Sequence, residues 1–234
     1  MFDPKTLLDQ LLGTQVPGTS GSLRDKAAGA TKLAKDNPLA TGAIAAVLLG
    51  TKTGRKLAGN AAVVGGLAAI AGLGYQAYRN YQQGKAPATA TPDAPVNEPP
   101  VLAPPPVESG FEPEILSNDF VLVLVRAMIA AAKADGQIDE AERARIVDRA
   151  HAVGLGGEAE AFLASELASP TDLDALIGAA KTEEQKVELY TASRLAIEPD
   201  SRAERGYLDL LAGRLGLADA LVDHIEATVS AHKA

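Results

Sequence analysis

A proline-rich segment, Ala86 to Pro113, divides this chain into two unlike halves. It holds nine of the 14 prolines. Because proline lacks the backbone N–H and fixes φ, this segment is expected to be extended and to act as a linker. The part before it is glycine-rich, and the part after it is rich in alanine and leucine. We therefore expect an N-terminal part, a linker and one C-terminal domain.

Charge is also divided between the two halves. Residues 1–85 carry 10 Lys and Arg against 4 Asp and Glu, whereas residues 114–234 carry 12 against 22. A basic segment suits anionic lipid headgroups, whereas an acidic domain repels nucleic acid and attracts cations. The chain has no cysteine, which excludes disulfides, thiolate catalysis and cysteine-ligated zinc. Membrane lipid is an expected partner and nucleic acid is not.

An uncharged apolar run, residues 57–75, is the strongest candidate for a membrane segment. It approaches the ~20 residues that a helix needs to span a bilayer. Ala58, Ala62 and Gly66 recur every four residues, a spacing that lets helices approach closely. The run predicts a transmembrane helix at 57–78, after a basic N-terminal segment (1–56) that contains a short apolar helix at 39–50. A soluble Ala/Gly-rich helical hairpin is the alternative.

The basic residues around this run predict its orientation. Four precede it and two follow it, and positive charge favours the cytoplasmic side. They are Lys35, Lys52, Arg55 and Lys56 before the run, and Arg79 and Lys85 after it. The sequence thus predicts a single-pass bacterial inner-membrane protein with a periplasmic C-terminal domain. A cytoplasmic domain stays open as the alternative, because residues 39–50 could enter the membrane and change the number of crossings.

The C-terminal part, after the linker at 79–113, has the apolar periodicity of helices. We predict an all-α bundle with short connections over residues 114–234. Residues 120–125 are β-branched and locally strand-like, but they continue into an alanine-rich run without a break and are predicted to be a buried helix. The further predicted helices cover residues 140–153, 158–167, 172–179, 183–197, 202–215 and 218–231.

Two acidic elements in this part join the end of one helix to the start of the next. Asp135, Asp139 and Glu142 belong to the first, and Asp200 and Glu204 to the second. Their carboxylates are hard oxygen ligands, which would favour Ca²⁺ or Mg²⁺. The spacing differs from that of an EF-hand loop, because the glycine directly follows the first Asp. These five residues are the candidate metal ligands.

Helix capping offers a structural explanation of the same residues. Asp139 with Glu142 forms an Asp variant of the capping box, and Ser201 with Glu204 forms the Ser variant. Thr182 with Gln185 repeats the pattern where no function is suspected. Gly136 suits a left-handed residue in the connecting turn.

The sequence lacks the motifs of the common catalytic sites. The three histidines do not form an HExxH pair, and there is no nucleophile elbow, P-loop or dinucleotide fingerprint. We expect no enzymatic activity, no catalytic residue and no organic cofactor.

The first acidic run, residues 132–142, resembles the first acidic motif of TerB-like (tellurite-resistance TerB) domains, and the run from Asp200 to Leu217 resembles the second. With the apolar segment and linker, the chain resembles the YebE-like bacterial inner-membrane family, the domain-of-unknown-function 533 family. The resemblance implies an all-α TerB-like fold, a metal role for the motif acids and a place in envelope or stress biology. Ile197-Glu198 stands where the TerB pattern has Asp-Gly, which disfavours a symmetrical two-motif metal site.

These observations favour a membrane-anchored TerB-like interaction or sensing module with a divalent-cation site and a protein partner or second copy. Two alternatives stay open. One is a carboxylate-metal hydrolase that uses the same acids. The other is a purely structural membrane protein that oligomerises through its small-residue face.

Overall fold

The described part of the chain is all-helical and contains no strand, as the sequence predicts. A computed structural model describes residues 3–12, 66–87, 102, 104–136, 138, 144, 146–147, 151 and 156–233. The helices are α1 (Pro4–Leu11), α2 (Gly66–Gln82), α3 (Asn118–Ala132), α4 (Gly157–Ala168), α5 (Leu173–Ala179), α6 (Glu183–Ala196), α7 (Arg202–Leu215) and α8 (Asp219–Lys233). The helix predicted at 140–153 lies largely outside these residues, and that at 39–50 entirely so.

Helix α6 is the centre of the bundle. It packs against α2, α3, α7 and α8, and residues 187–196 are all buried. A helix that is buried on every side is normally apolar throughout. α6 instead buries four polar side chains: Glu188, Thr191, Ser193 and Arg194. The centre of the molecule therefore holds polar groups, and burial of each is unfavourable unless it finds a hydrogen-bond partner or stays neutral.

Helix α2 corrects the prediction of a transmembrane helix at 57–78. Leu67, Ile70 and Leu73 are buried in the same core as the C-terminal helices, and α2 packs along α6 and α8. Within the described segments, no helix has both the length and the apolar character that a membrane span requires. Residues 57–65, the first half of the predicted span, lie outside the described part. The apolar face of α2 is covered by protein, so the single-pass inner-membrane assignment gains no support.

The small residues of α2 make contacts within the chain. A Cβ at Gly66 would come within 2.5 Å of Leu12 Cβ, and one at Gly72 within 2.8 Å of Leu102 Cδ2. These glycines let α1 and the linker approach the α2 backbone closely. Other segments of the same chain therefore cover the surface of α2 at Gly66 and Gly72. Ala58 and Ala62 lie outside the described residues.

The C-terminal end of the proline-rich linker belongs to the bundle. Phe111 is fully buried, and its ring centre lies 5.9 Å from that of Tyr75 and 5.6 Å from that of Tyr78. α1 also contacts this region, because Lys5 Nζ donates to the carbonyl oxygen of Pro113 at 3.1 Å. Aromatic packing of this kind adds to the burial of apolar area. α2 and the linker end thus cover one side of α6, while α1 packs on α2 and α3.

Candidate functional site

The first acidic element lies partly within the described residues. α3 ends in a turn, and Gly136 adopts the left-handed conformation there with φ +74°, which confirms the expected role of that glycine. Asp135 is exposed in this turn. Asp139 and Glu142 lie outside the described residues, so their predicted capping and metal-binding roles stay predictions.

The second acidic element forms a complete capping box at the start of α7. Ser201 Oγ accepts the backbone N–H of Glu204 at 3.1 Å, and Glu204 Oε2 accepts the backbone N–H of Ser201 at 2.9 Å. This confirms the capping interpretation of Glu204. Asp200 is exposed, and its carbonyl oxygen accepts Nη1 of Arg205 at 2.9 Å. One carboxylate oxygen of Glu204 is therefore engaged in holding the helix start.

Three of the five predicted metal ligands, Asp135, Asp200 and Glu204, lie within the described residues. Among the residues that the structure describes, no three His, Cys, Asp or Glu side chains are grouped to hold a metal ion. Asp135 follows α3, Asp200 lies between α6 and α7, and Glu204 lies in the first turn of α7. The cation site that would unite them with Asp139 and Glu142 remains a prediction from sequence.

A cleft lies between α3 and the connection from α4 to α5. Its volume is about 180 Å³, and both charged and apolar side chains line it. Arg126 on α3 and Lys133, which directly follows α3, line the cleft seven residues apart and thus on one side of the helix. The remaining lining residues are Ile129, Ala130, Glu166, Ser169, Pro170, Thr171, Asp172, Ala175 and Leu176.

The guanidinium of Arg126 is held in a fixed position at this cleft. Its Nε donates to Glu166 Oε1 at 2.8 Å, and its Cζ lies 5.4 Å from the ring centre of Phe162. The two terminal nitrogens make no hydrogen bond to a described residue. Lys133 Nζ donates to the carbonyl oxygens of Ser169 and Glu166. The cleft therefore presents the outer edge of a preorganised arginine, the geometry that suits a carboxylate.

A second polar group lies in the core, between α6 and α8. Arg194 Nε is 2.5 Å from Glu226 Oε2, and its two terminal nitrogens donate to the carbonyl oxygen of Ile197 at 2.9 Å and to Ser230 Oγ at 3.1 Å. Tyr190 OH donates to Glu226 Oε1 at 2.9 Å. Burial, together with Glu226, raises the pKa of Tyr190 well above its usual value. Each nitrogen of the Arg194 guanidinium therefore has a described acceptor, and the network joins α6 to α8.

Neither the cleft nor the buried polar residues of α6 belong to the sites predicted from the sequence. Arg126 and Lys133 are the only cations of α3 and its end, and their spacing of seven was the signal that could have marked a common face. Glu188 stands four residues after Glu184. In the sequence, this spacing is typical of two acids on the solvent-exposed face of a charged helix. Only the packing of other segments on α6 shows which of these acids is buried.

Comparison with known proteins places this chain in a family. The chain belongs to the family described as "Protein of unknown function (DUF533)", whose model matches residues 34–229. This confirms the resemblance to that family. An "Uncharacterized protein in ampR 5'region" from Yersinia enterocolitica is 31% identical over 110 residues, which are 47% of this chain and 79% of that protein. No solved structure matches the chain.

Proposed function

We propose that the protein is a TerB-like helical interaction module, and that the cleft between α3 and the α4–α5 connection anchors an acidic group of a protein partner. The observation that carries this proposal is the arginine at the cleft. Arg126 is fixed by Glu166 and Phe162, while its outer nitrogens face no described partner. The TerB-like assignment rests on the motif resemblance, and the second motif occupies a helix junction with its capping box.

The size of the cleft favours a binding role over catalysis. Small-molecule and substrate sites usually have volumes of about 300–1,000 Å³, whereas this cleft has about 180 Å³. It would accommodate one side chain or a chain end of a partner. No histidine is among its described lining residues, and the acids present are engaged or exposed rather than paired as an acid and a base.

The chemistry of the lining favours a carboxylate as the anchored group. Arginine is enriched at the centres of protein interfaces, because its planar fork makes two parallel bonds to a carboxylate. Ile129, Ala130 and Leu176 supply apolar walls beside it. Asp172 and Glu166 line the same cleft and would repel an acidic group that is not positioned to pair with Arg126. This repulsion would make binding more selective.

Site-specific photo-cross-linking in cells tests this proposal. A photoreactive amino acid replaces Thr171, which is exposed at the cleft, and the matched control carries it at Ala203, which is exposed on α7. We expect one discrete adduct from position 171 and not from 203, identified by mass spectrometry. In an Arg126→Gln background the adduct should fall by up to about thirtyfold, because loss of an anchoring arginine costs on the order of 2 kcal/mol.

The Arg126→Gln variant also needs a folding control. The side chain is 41% exposed, so loss of its pair with Glu166 should cost only about 0–1 kcal/mol, as thermal unfolding would show. The same adducts at positions 171 and 203, no discrete adduct, or an adduct that Arg126→Gln leaves unchanged would each reject the cleft as the binding site. An adduct between two copies of the chain would identify the partner as the chain itself.

A further inference from the structure

Glu188 is a buried acid that has no hydrogen-bond partner among the described residues. Its side chain has no exposed surface, and neither carboxylate oxygen is bonded to a described residue. Burial of an ionised carboxylate without a partner is strongly unfavourable, so such a group is either neutralised or uncovered. Glu184, Glu188 and Thr191 follow the i, i+4, i+7 spacing and therefore lie in a stripe along one face of α6.

Two segments cover this stripe, and we call them the cover: α2 and residues 109–112. At one end, a Cβ on Gly110 would lie 2.9 Å from Glu184 Cγ. At the other end, a Cβ on Gly74 would lie 3.6 Å from Thr191 Oγ1. Glu188 stands between these two contacts along α6. The absence of a side chain at both glycines lets the cover close directly over the buried acid.

The charges that act on Glu188 are negative. Burial, then Glu184 and then Glu112, raises its pKa to about 8. Hydrogen bonds from backbone N–H groups lower the pKa of Glu112 and keep it ionised. The largest effect comes from the N–H of Glu112 itself, and other N–H groups of the same turn add to it. Glu112 Oε2 and Thr191 Oγ1 are themselves buried without a described partner.

The other titratable groups packed around α6 bond elsewhere. Tyr78 on α2 donates to Glu183 at 3.1 Å. Arg194 lies roughly 120° around the helix from Glu188, and it bonds to Glu226 on α8. Ser193 and Tyr207, from α6 and α7, both donate to the carbonyl oxygen of Ala127 on α3. None of these is a cation that faces Glu188.

We infer that Glu188 is a proton-linked latch: as a neutral acid it lets the cover close over α6, and its ionisation opens the cover. Closing binds a proton, because the uncovered acid ionises near its ordinary value of 4.5. The proton's contribution to the stability of the closed state is therefore fully present below about pH 4.5. It is lost as pH rises to about 8. Between these values the fraction open rises by up to about tenfold per pH unit, and above them it levels off.

Cysteine protection tests the latch in the full chain, which has no cysteine of its own. Ala77→Cys places a thiol at a fully buried position of α2, and Ala212→Cys is the control at a buried position of α7. The labelling rate of each is divided by that of a free thiol at the same pH. We expect protection at position 77 to fall at least about tenfold between about pH 5.5 and pH 7.5, with little change at position 212.

Two charge variants decide whether Glu188 causes this response. Glu188→Gln removes the ionisation and should abolish the pH dependence at position 77. Glu184→Gln, at a half-buried position, removes a like charge and should make the rise level off at a lower pH. An unchanged pH dependence in Glu188→Gln, or pH-independent protection in the parent chain, would overturn the inference. If Glu188→Gln fails to fold, the shift in Glu184→Gln carries the decision. Arg126→Gln should leave the response intact, which separates the latch from the cleft.

Discussion

At the scale of single residues, the absence of a side chain at Gly66 lets the end of α1 approach α2 closely. A Cβ there would lie 2.5 Å from Leu12 Cβ and 3.0 Å from the carbonyl oxygen of Leu8. Gly66→Ala should therefore destabilise the protein by about 1–3 kcal/mol, because overpacking forces the neighbouring segment to shift. Urea unfolding measures the change as a lower midpoint.

Gly206→Ala is the matched control for this substitution. Gly206 lies in the interior of α7, and a Cβ there meets no atom within 4 Å. Because alanine is the better helix former by up to about 1 kcal/mol, this variant should be slightly more stable than the parent chain. Equal midpoints for the two variants would show that α1 does not pack on α2 as described.

At the scale of elements, the start of α2 is capped by a side chain from another helix. Asp9 on α1 accepts the backbone N–H of Leu67 at 3.1 Å. Burial raises the pKa of Asp9, and the backbone N–H groups of Leu67 and Gly66 partly offset that rise. Asp9→Ala should cost about 1 kcal/mol, the usual effect of losing a cap.

Hydrogen exchange locates the effect of this cap. Asp9→Ala should speed exchange of the first-turn amides of α2 more than those of α7, since only α2 loses a hydrogen-bond acceptor. Asp9→Asn keeps an oxygen acceptor and should restore most of the protection. Uniform loss of protection across both helices would contradict a local capping role.

At the scale of the whole molecule, the N-terminal helices complete the core of the C-terminal ones. α2 covers α6 and α8, and α1 packs on α3 and α2. A chain of residues 114–234 should therefore unfold at a lower urea concentration than the full chain and bind a hydrophobic dye, because the covered faces become exposed. A chain of residues 66–234 keeps α2 and should recover much of the difference. Equal midpoints for the full chain and residues 114–234 would contradict this expectation. They would show that the domain predicted to begin at residue 114 is as stable alone as in the full chain.

The sequence alone determined the helices from α3 to α8 and several of their ends. Thr182 and Ser201 cap α6 and α7 as predicted, and Gly216 ends α7 with φ +70°. These features were predictable because capping and helical periodicity depend on residues within a turn or two of one another. The capping box at Ser201 also explains Glu204 without a ligand.

Only the tertiary structure decided what covers each helix face. The run at 57–75 predicts a membrane span, but the described part of it packs on α6 and α8, since lipid and a protein core both remove the same apolar surface from water. The sequence likewise shows Glu184 and Glu188 as equivalent acids one turn apart. The closure of α2 and Phe111 over α6 buries Glu188 fully and leaves Glu184 half-buried. Burial is set by contacts between segments far apart in the chain, and no local pattern records them.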